Sequence, residues 1–507
     1  MRFPRASGIL LHPTCLANSF GIGDFGPAAL AFVDFLKESG QKLWQVLPLN
    51  PTGYGDSPFQ CFSAYAGNHL LISLEKLEER GILEDSDFLH RPDFPLDSVD
   101  FESVMAWKTR LLTRAAARFQ TSASAQDRRT FDEFCTKNAA WLADFALFMA
   151  CKQEQGGIRW NHWPAEIAQR TPAGLSAARD RLREALFTVE YWQFEFFRQW
   201  KEVQAYAHAA GIRIIGDLPI YVALDSADVW TNPEYFQLAD DGEPLTIAGV
   251  PPDYFSRTGQ CWGNPIYRWN RLEQTGYRWW IERFRAALEL YDAVRIDHFR
   301  GFEAYWEIPA DQTTAIHGRW VKGPGADFFA ALEQEFGELP IIAENLGVIT
   351  PEVEAIRQRF RFPGMAILQF AFGKDPQGPS FRPHNYGREL AVYTGTHDND
   401  TSVGWWTSTG ARDSTRTPED VAKEHAFARA YLDVRDEPIH WVMIRTILAS
   451  IADLAIVPLQ DVLGLGSEMR MNRPGTAKGN WRWRSRPQAL TSALASRLRE
   501  MVELYDR

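Results

Sequence analysis

The sequence is short of cysteine, of long apolar runs and of basic clusters, and each shortage removes a class of protein. Only five cysteines occur among 507 residues, at Cys15, Cys61, Cys135, Cys151 and Cys261. Their odd number, scattered positions and lack of any CxxC pair argue against a disulfide framework or a cysteine zinc site. No stretch reaches the ~18 consecutive apolar residues of a membrane span. The opening apolar run stops at Pro13 and Asn18, too early for a signal peptide. A cytoplasmic protein with reduced thiols is therefore expected. The formal net charge is −11, and no dense stripe of Lys and Arg could neutralise a phosphate backbone. Neither nucleic acid nor membrane is an expected partner.

Motifs for common cofactors are also missing. There is no Walker A loop, HExxH or GxSxG, and the 11 histidines lack metal-ligand spacing. One GxGxxG occurs, at Gly21-Ile22-Gly23-Asp24-Phe25-Gly26. Some ten residues of loop separate it from the preceding apolar run, whereas a dinucleotide fingerprint follows its strand directly. It reads as a turn that starts a helix. No cofactor and no metal are expected.

What the chain has is aromatic residues, 13% of the total with 19 Trp, in an otherwise ordinary globular composition. Most must pack the core, but Trp and Tyr on loops also suit stacking on sugar rings. Short apolar runs ending in polar residues recur at Gly8–Leu11, Leu43–Leu47, Arg213–Asp217, Asp292–Asp297, Pro340–Glu344, Met365–Phe370, Leu390–Thr394 and Leu454–Pro458. Strands of a parallel barrel look like this, because both faces are buried. Helical periodicity lies between them, as at Pro27–Glu38, Trp279–Leu290, Asp327–Phe336, Pro351–Phe360 and Ile439–Ile451. The pattern predicts an α/β fold, a (β/α)8 TIM barrel spanning 1–507 with insertions. One insertion, at about 70–211 after the second strand, is mostly helical by its apolar period. Another, at about 231–270, is rich in Gly, Pro and aromatics and reads as an active-site loop.

Four of these runs carry acids at or just past their ends: Asp217, Asp297, Glu344 and Asp398. In a strand, Arg295 and Asp297 share a face, so the cation would keep that carboxylate ionised. Glu344 follows an apolar run and precedes a Gly-bearing turn, where a half-buried carboxyl would have a raised pKa. Asp398 follows His397, and both could reach sugar hydroxyls. Each acid alone also fits a structural ion pair or a loop cap. Together they suit retaining glycoside chemistry, which needs one carboxylate nucleophile and one carboxylic acid/base.

At this point the sequence resembles glycoside hydrolase family 77, the 4-α-glucanotransferases or amylomaltases of the α-amylase clan. The matching stretches are GIGDFG (21–26), GYGDSPFQCFSAYAGN (53–68), IIGDLPIYVALDSADVW (214–230), GVPPDYFSRTGQCWGNPIY (249–267), VRIDHFRGF (294–302), IIAENLG (341–347), YTGTHDNDT (393–401) and MNRPGT (471–476). The resemblance implies that Asp297 is the nucleophile, Glu344 the acid/base and Asp398 the transition-state stabiliser. It implies that Asp217, Arg295, His298 and His397 hold the sugar at the scissile bond. It further implies that Tyr54, Tyr254, Phe255, Gln260 and Trp262 bind glucan, with α-1,4-glucans, malto-oligosaccharides and glucose as partners. Cys61 and His69 depart from the family pattern beside Tyr54. The start of the chain, close to the first strand, is similar to the compact bacterial members.

No residue spells out transfer in preference to hydrolysis. A retaining α-glucan hydrolase would use the same acids, and a non-catalytic glucan-binding barrel could keep the fold.

Overall fold

The computed structural model describes residues 3–252, 256–410, 417–476 and 478–507. Its centre is an eight-stranded parallel sheet. The strands are β1 (Ala6–Leu10), β2 (Leu43–Gln45), β3 (Arg213–Pro219), β4 (Ala293–Asp297), β5 (Ile341–Ala343), β6 (Gly364–Ile367), β7 (Leu390–Tyr393) and β8 (Leu454–Pro458). They pair in the order β6-β7-β8-β1-β2-β3-β4-β5. The two ends meet where Ala343 N–H donates to Pro363 O at 2.8 Å and Met365 N–H donates to the Asn345 side chain at 2.8 Å. The ring is thus a (β/α)8 barrel, with one seam held partly by a side chain. All eight expected strands are present. The run at Met365–Phe370 is divided, since β6 ends at Ile367 and a 3-10 turn covers Leu368–Ala371.

The first crossover shows why the elements form. Helix α1 (Pro27–Glu38) starts at Pro27, whose missing N–H costs nothing in a first turn. It buries Ala29, Phe32, Val33 and Leu36, one helical face. Full burial of each large side chain stabilises by roughly 1.5–3 kcal/mol. The helix ends at Ser39-Gly40, where Gly40 takes φ +74°.

Between β2 and β3 the chain runs through long helices, among them Phe101–Ser122, Ala125–Lys137, Ala139–Glu154 and Arg183–Ala209. The last packs against the other three, and its Trp200 indole donates to Leu290 O at 3.0 Å. A second, antiparallel sheet has the order Gln260–Pro265, Thr246–Val250, Ala304–Pro309, Arg319–Lys322. The sequence did not announce it. Its strands hold Gly249, Gly263, Pro265 and Pro309, which break the alternating pattern that betrays a strand. Ile247, Ile308 and Ala315 form a small core of their own beneath Trp306. Among the described residues no helix is long and apolar enough to cross a membrane.

Close approach inside the barrel is paid for by small residues. At Gly216 on β3, an added Cβ would lie 2.1 Å from the Tyr291 ring. The Tyr291 hydroxyl in turn accepts Leu49 N–H at 3.2 Å.

Candidate active site

The strand ends converge on one electrostatic cluster. Arg295, buried on β4, donates through Nη1 to both oxygens of Asp217 at 2.8 and 2.7 Å, and through Nη2 to Asp297 at 2.8 Å. The guanidinium therefore fixes two carboxylates of neighbouring strands. The Asp217 side chain is 0% exposed and that of Asp297 30%. Burial pushes Asp217 up to about 7 against the pull of Arg295. Burial acts to lower Arg295, but Asp217, Asp297 and Glu344 outweigh it and hold the charge in place.

Glu344 directly follows β5 and is half-buried. Its oxygens accept His298 N–H at 2.8 Å and Leu346 N–H at 3.0 Å. Burial, with the Asp297 charge, raises it to about 8, despite Arg295 and the two amides. Its surroundings therefore favour the neutral, protonated form. The His298 amide reaches it because His298 adopts φ +53°, a left-handed conformation rare for a side-chain residue. The imidazole of His298 lies edge-on to Trp262, with ring centroids 4.8 Å apart. Burial lowers its pKa to about 4, so the ring is neutral at pH 7. Among the described residues its Nε2 has no hydrogen-bond partner.

The third strand end is a loop shaped by local hydrogen bonds. Asn399 Oδ1 accepts both N–H and Oγ1 of Thr396, at 2.8 and 2.9 Å. Asp461 anchors the loop through Thr394 Oγ1 at 2.5 Å and Ser402 N–H at 2.6 Å. His397 Nε2 then lies 3.4 Å from Asp398 Oδ1. The His397 ring stacks on Phe59 at 5.0 Å, and burial lowers its pKa. Asp398 is 45% exposed and accepts Asn472 Nδ2 at 2.6 Å. Its charge reaches Asp217, as that of Asp297 reaches His397, so the acids share one field.

The glucan-binding candidates are more dispersed. Trp262 Nε1 donates to Gln260 at 3.2 Å, placing both on one strand of the antiparallel sheet. Tyr54 is 77% exposed on a 3-10 turn. Tyr254 and Phe255 lie outside the described residues. Cys61 donates to Pro58 O, His69 stacks on Trp192 at 4.8 Å, and both residues are half-buried.

Sequence reasoning missed several neighbours. Phe59 and Asn472 lie inside motifs that were noticed, but neither is a titratable residue at a strand end. His12 just past β1 had the right signal, a polar residue ending an apolar run. Burial drives its pKa to about 3, with His397 adding to the effect.

A family model described as 4-alpha-glucanotransferase matches residues 11–491. The chain belongs to the 4-alpha-glucanotransferase family. It is 51% identical to a 4-alpha-glucanotransferase of Thermus thermophilus, with 100% of both chains covered. It is equally identical to one from Synechocystis, covering 99% of this chain and 98% of that one. An amylomaltase structure from Streptococcus agalactiae, in complex with acarbose, superposes with a TM-score of 0.93 at 40% identity, covering 99% of each chain. A Corynebacterium glutamicum amylomaltase shares the fold at 21% identity and a TM-score of 0.80, covering 99% of this chain and 75% of that one. As a 4-alpha-glucanotransferase, the chain is an enzyme whose substrates are α-glucans.

Proposed function

We propose that transfer proceeds by two displacements at one carbon, with Asp297 as nucleophile, Glu344 as acid/base and Asp398 as stabiliser. The observation that carries this reading is the unequal state of neighbouring carboxyls. Asp297 is half-buried and paired with Arg295, whereas Glu344 is raised to about 8. In the first step Asp297 attacks the anomeric carbon, the α-1,4 bond breaks, and the Glu344 proton passes to the leaving 4-oxygen. The leaving chain departs with a reducing end. In the second step Glu344, now a carboxylate, takes the proton of an incoming 4-hydroxyl. That oxygen displaces Asp297, and both the α-linkage and the acid are restored.

Asp398 supports the positive charge that develops at the anomeric carbon, and Asn472 orients it. Arg295 holds the nucleophile, and Arg295 and Asp217 also bind the sugar at the scissile bond. In this reading His298 and His397 bind hydroxyls of the reacting glucose, with His298 Nε2 available as a neutral acceptor or donor. Trp262 and Gln260 contact the neighbouring sugar, and Tyr254 and Phe255 bind glucan with them. Exposed Tyr54 binds glucan farther out. Glucose and α-1,4-glucan ends are the acceptors, and the chemistry needs no cofactor. We read residues 1–507 as one catalytic barrel, with a helical insertion at about 70–211 and an active-site insertion at about 231–270, located in the cytoplasm.

The test is Asp297→Asn assayed on maltotriose. The parent enzyme yields glucose with a ladder of longer oligomers, and the variant yields neither. Full activity in the variant removes the assignment, and shorter sugars without a ladder from the parent would indicate hydrolysis.

A further inference from the structure

We propose that Trp320 is an aromatic platform for an α-glucan chain, beyond the glucose units that touch the carboxyls and on the leaving-group and acceptor side. The proposal rests on the role given above to Glu344. Trp320 is 39% exposed and is the one tryptophan among the exposed large apolar residues described. A lone exposed ring needs no explanation, but this ring is held rigidly. The Arg300 guanidinium lies 3.7 Å from its centroid, covering one face. Trp306, directly opposite in the antiparallel ladder, meets it edge-on at 5.2 Å and 69°. Arg300 is itself fixed, donating to Ala304 O at 3.3 Å and to Val348 O. The indole is thus ordered before any ligand arrives, which reduces the entropy cost of binding.

Its surroundings tie it to the loop of Glu344, whose proposed role sets the leaving-group and acceptor side. Val348 belongs to the loop that follows Glu344, the group that protonates the leaving oxygen. On the other flank, Trp306 Nε1 donates to Ala315 O at 2.9 Å, and Ala315 N–H donates to Thr258 O at 3.0 Å. Thr258 leads directly into the strand that carries Gln260 and Trp262. Trp320 is therefore braced between the loop of the acid/base and the loop that reaches His298 through Trp262. Arg319 and Lys322 flank it on the edge strand, where their ion pairs with Glu307 and Glu303 discourage strand pairing. What remains presented is an apolar ring with a polar border, the form that suits the apolar face and hydroxyl edge of glucose.

The experiment compares the full chain with Trp320→Leu, Trp320→Ala and Trp320→Tyr. Leu keeps apolar bulk against Trp306 without a ring, and Tyr keeps a ring. The reading is the ratio of kcat/KM on amylose to that on maltotriose. Loss of one ring contact is expected to lower this ratio about five- to tenfold in the Leu and Ala variants, with Tyr within about twofold of the parent. Affinity electrophoresis through amylose reads the same contact without turnover and should show the same order. A ratio unchanged in the Leu variant overturns the proposal, as does Leu behaving like Tyr. Failure of the parent to make a maltotriose ladder would instead refute the reading of the carboxyls, and the electrophoresis would still judge Trp320.

Discussion

Glu344→Gln should cost the enzyme its activity and gain stability relative to the parent as the pH rises. A carboxyl raised in the folded state binds its proton more tightly than in the unfolded chain. It therefore weakens the fold above its folded pKa, and this penalty vanishes below its unfolded value. For Glu344 the window runs from the ordinary 4.5 to about 8. At ~1.36 kcal/mol per pH unit, that span corresponds to at most about 5 kcal/mol. The pull of Arg295 is already contained in that shift, so this figure is the upper limit of the effect. Gln adds a cost that does not depend on pH, because its amide cannot accept from both His298 N–H and Leu346 N–H. The informative quantity is thus the difference between variant and parent, followed from pH 5 to pH 9. Urea unfolding at fixed salt measures it. The Gln variant should gain on the parent from pH 5 to about pH 8 and level off above it. Parallel curves for the two proteins would refute the raised pKa and with it the proton-donor role.

The same acid predicts an alkaline limb near pH 8 in kcat/KM on maltotriose, because Glu344 must enter the first step protonated; a limb above pH 10 would contradict this. Asn472→Ala removes the 2.6 Å donor to Asp398 and should lower kcat about 10- to 100-fold with little change in KM, the size of a hydrogen bond to a charged group. Steady-state kinetics on maltotriose decides it, and an equal effect on KM would assign Asn472 to ground-state binding. Gly216→Ala drives a methyl into the Tyr291 ring and should destabilise by about 1–3 kcal/mol while displacing Asp217. Thermal unfolding checks the first effect and kcat the second.

Much of the barrel was legible because its strands obey a simple rule. A strand buried on both faces must be apolar throughout, and the acids that end such runs at Asp217, Asp297 and Glu344 stand out against it. Asp398 was harder, lying five residues past Tyr393, and was found from the adjacent His397. The antiparallel sheet was illegible for the converse reason. Its strands face partly outward and carry Gly and Pro, so neither alternation nor an apolar run marks them. Asn472 reaches Asp398 across 74 positions of chain, a proximity that no local pattern encodes. The left-handed backbone of His298 was equally hidden, since it is the folded cluster, and no glycine, that holds it there.

The seam between β5 and β6 bears on how the molecule fails when heated. Elsewhere around the ring, backbone ladders join neighbouring strands, but here the Asn345 carboxamide takes the Met365 amide. A clasp made by a side chain opens at less cost than a ladder. The Met365 amide should accordingly exchange with deuterated solvent sooner than those of β8, which pairs on both sides. Asn345 is also the residue after Glu344. Opening the clasp would therefore misplace the proton donor before the barrel unravels, so catalysis should fade on warming ahead of the unfolding transition.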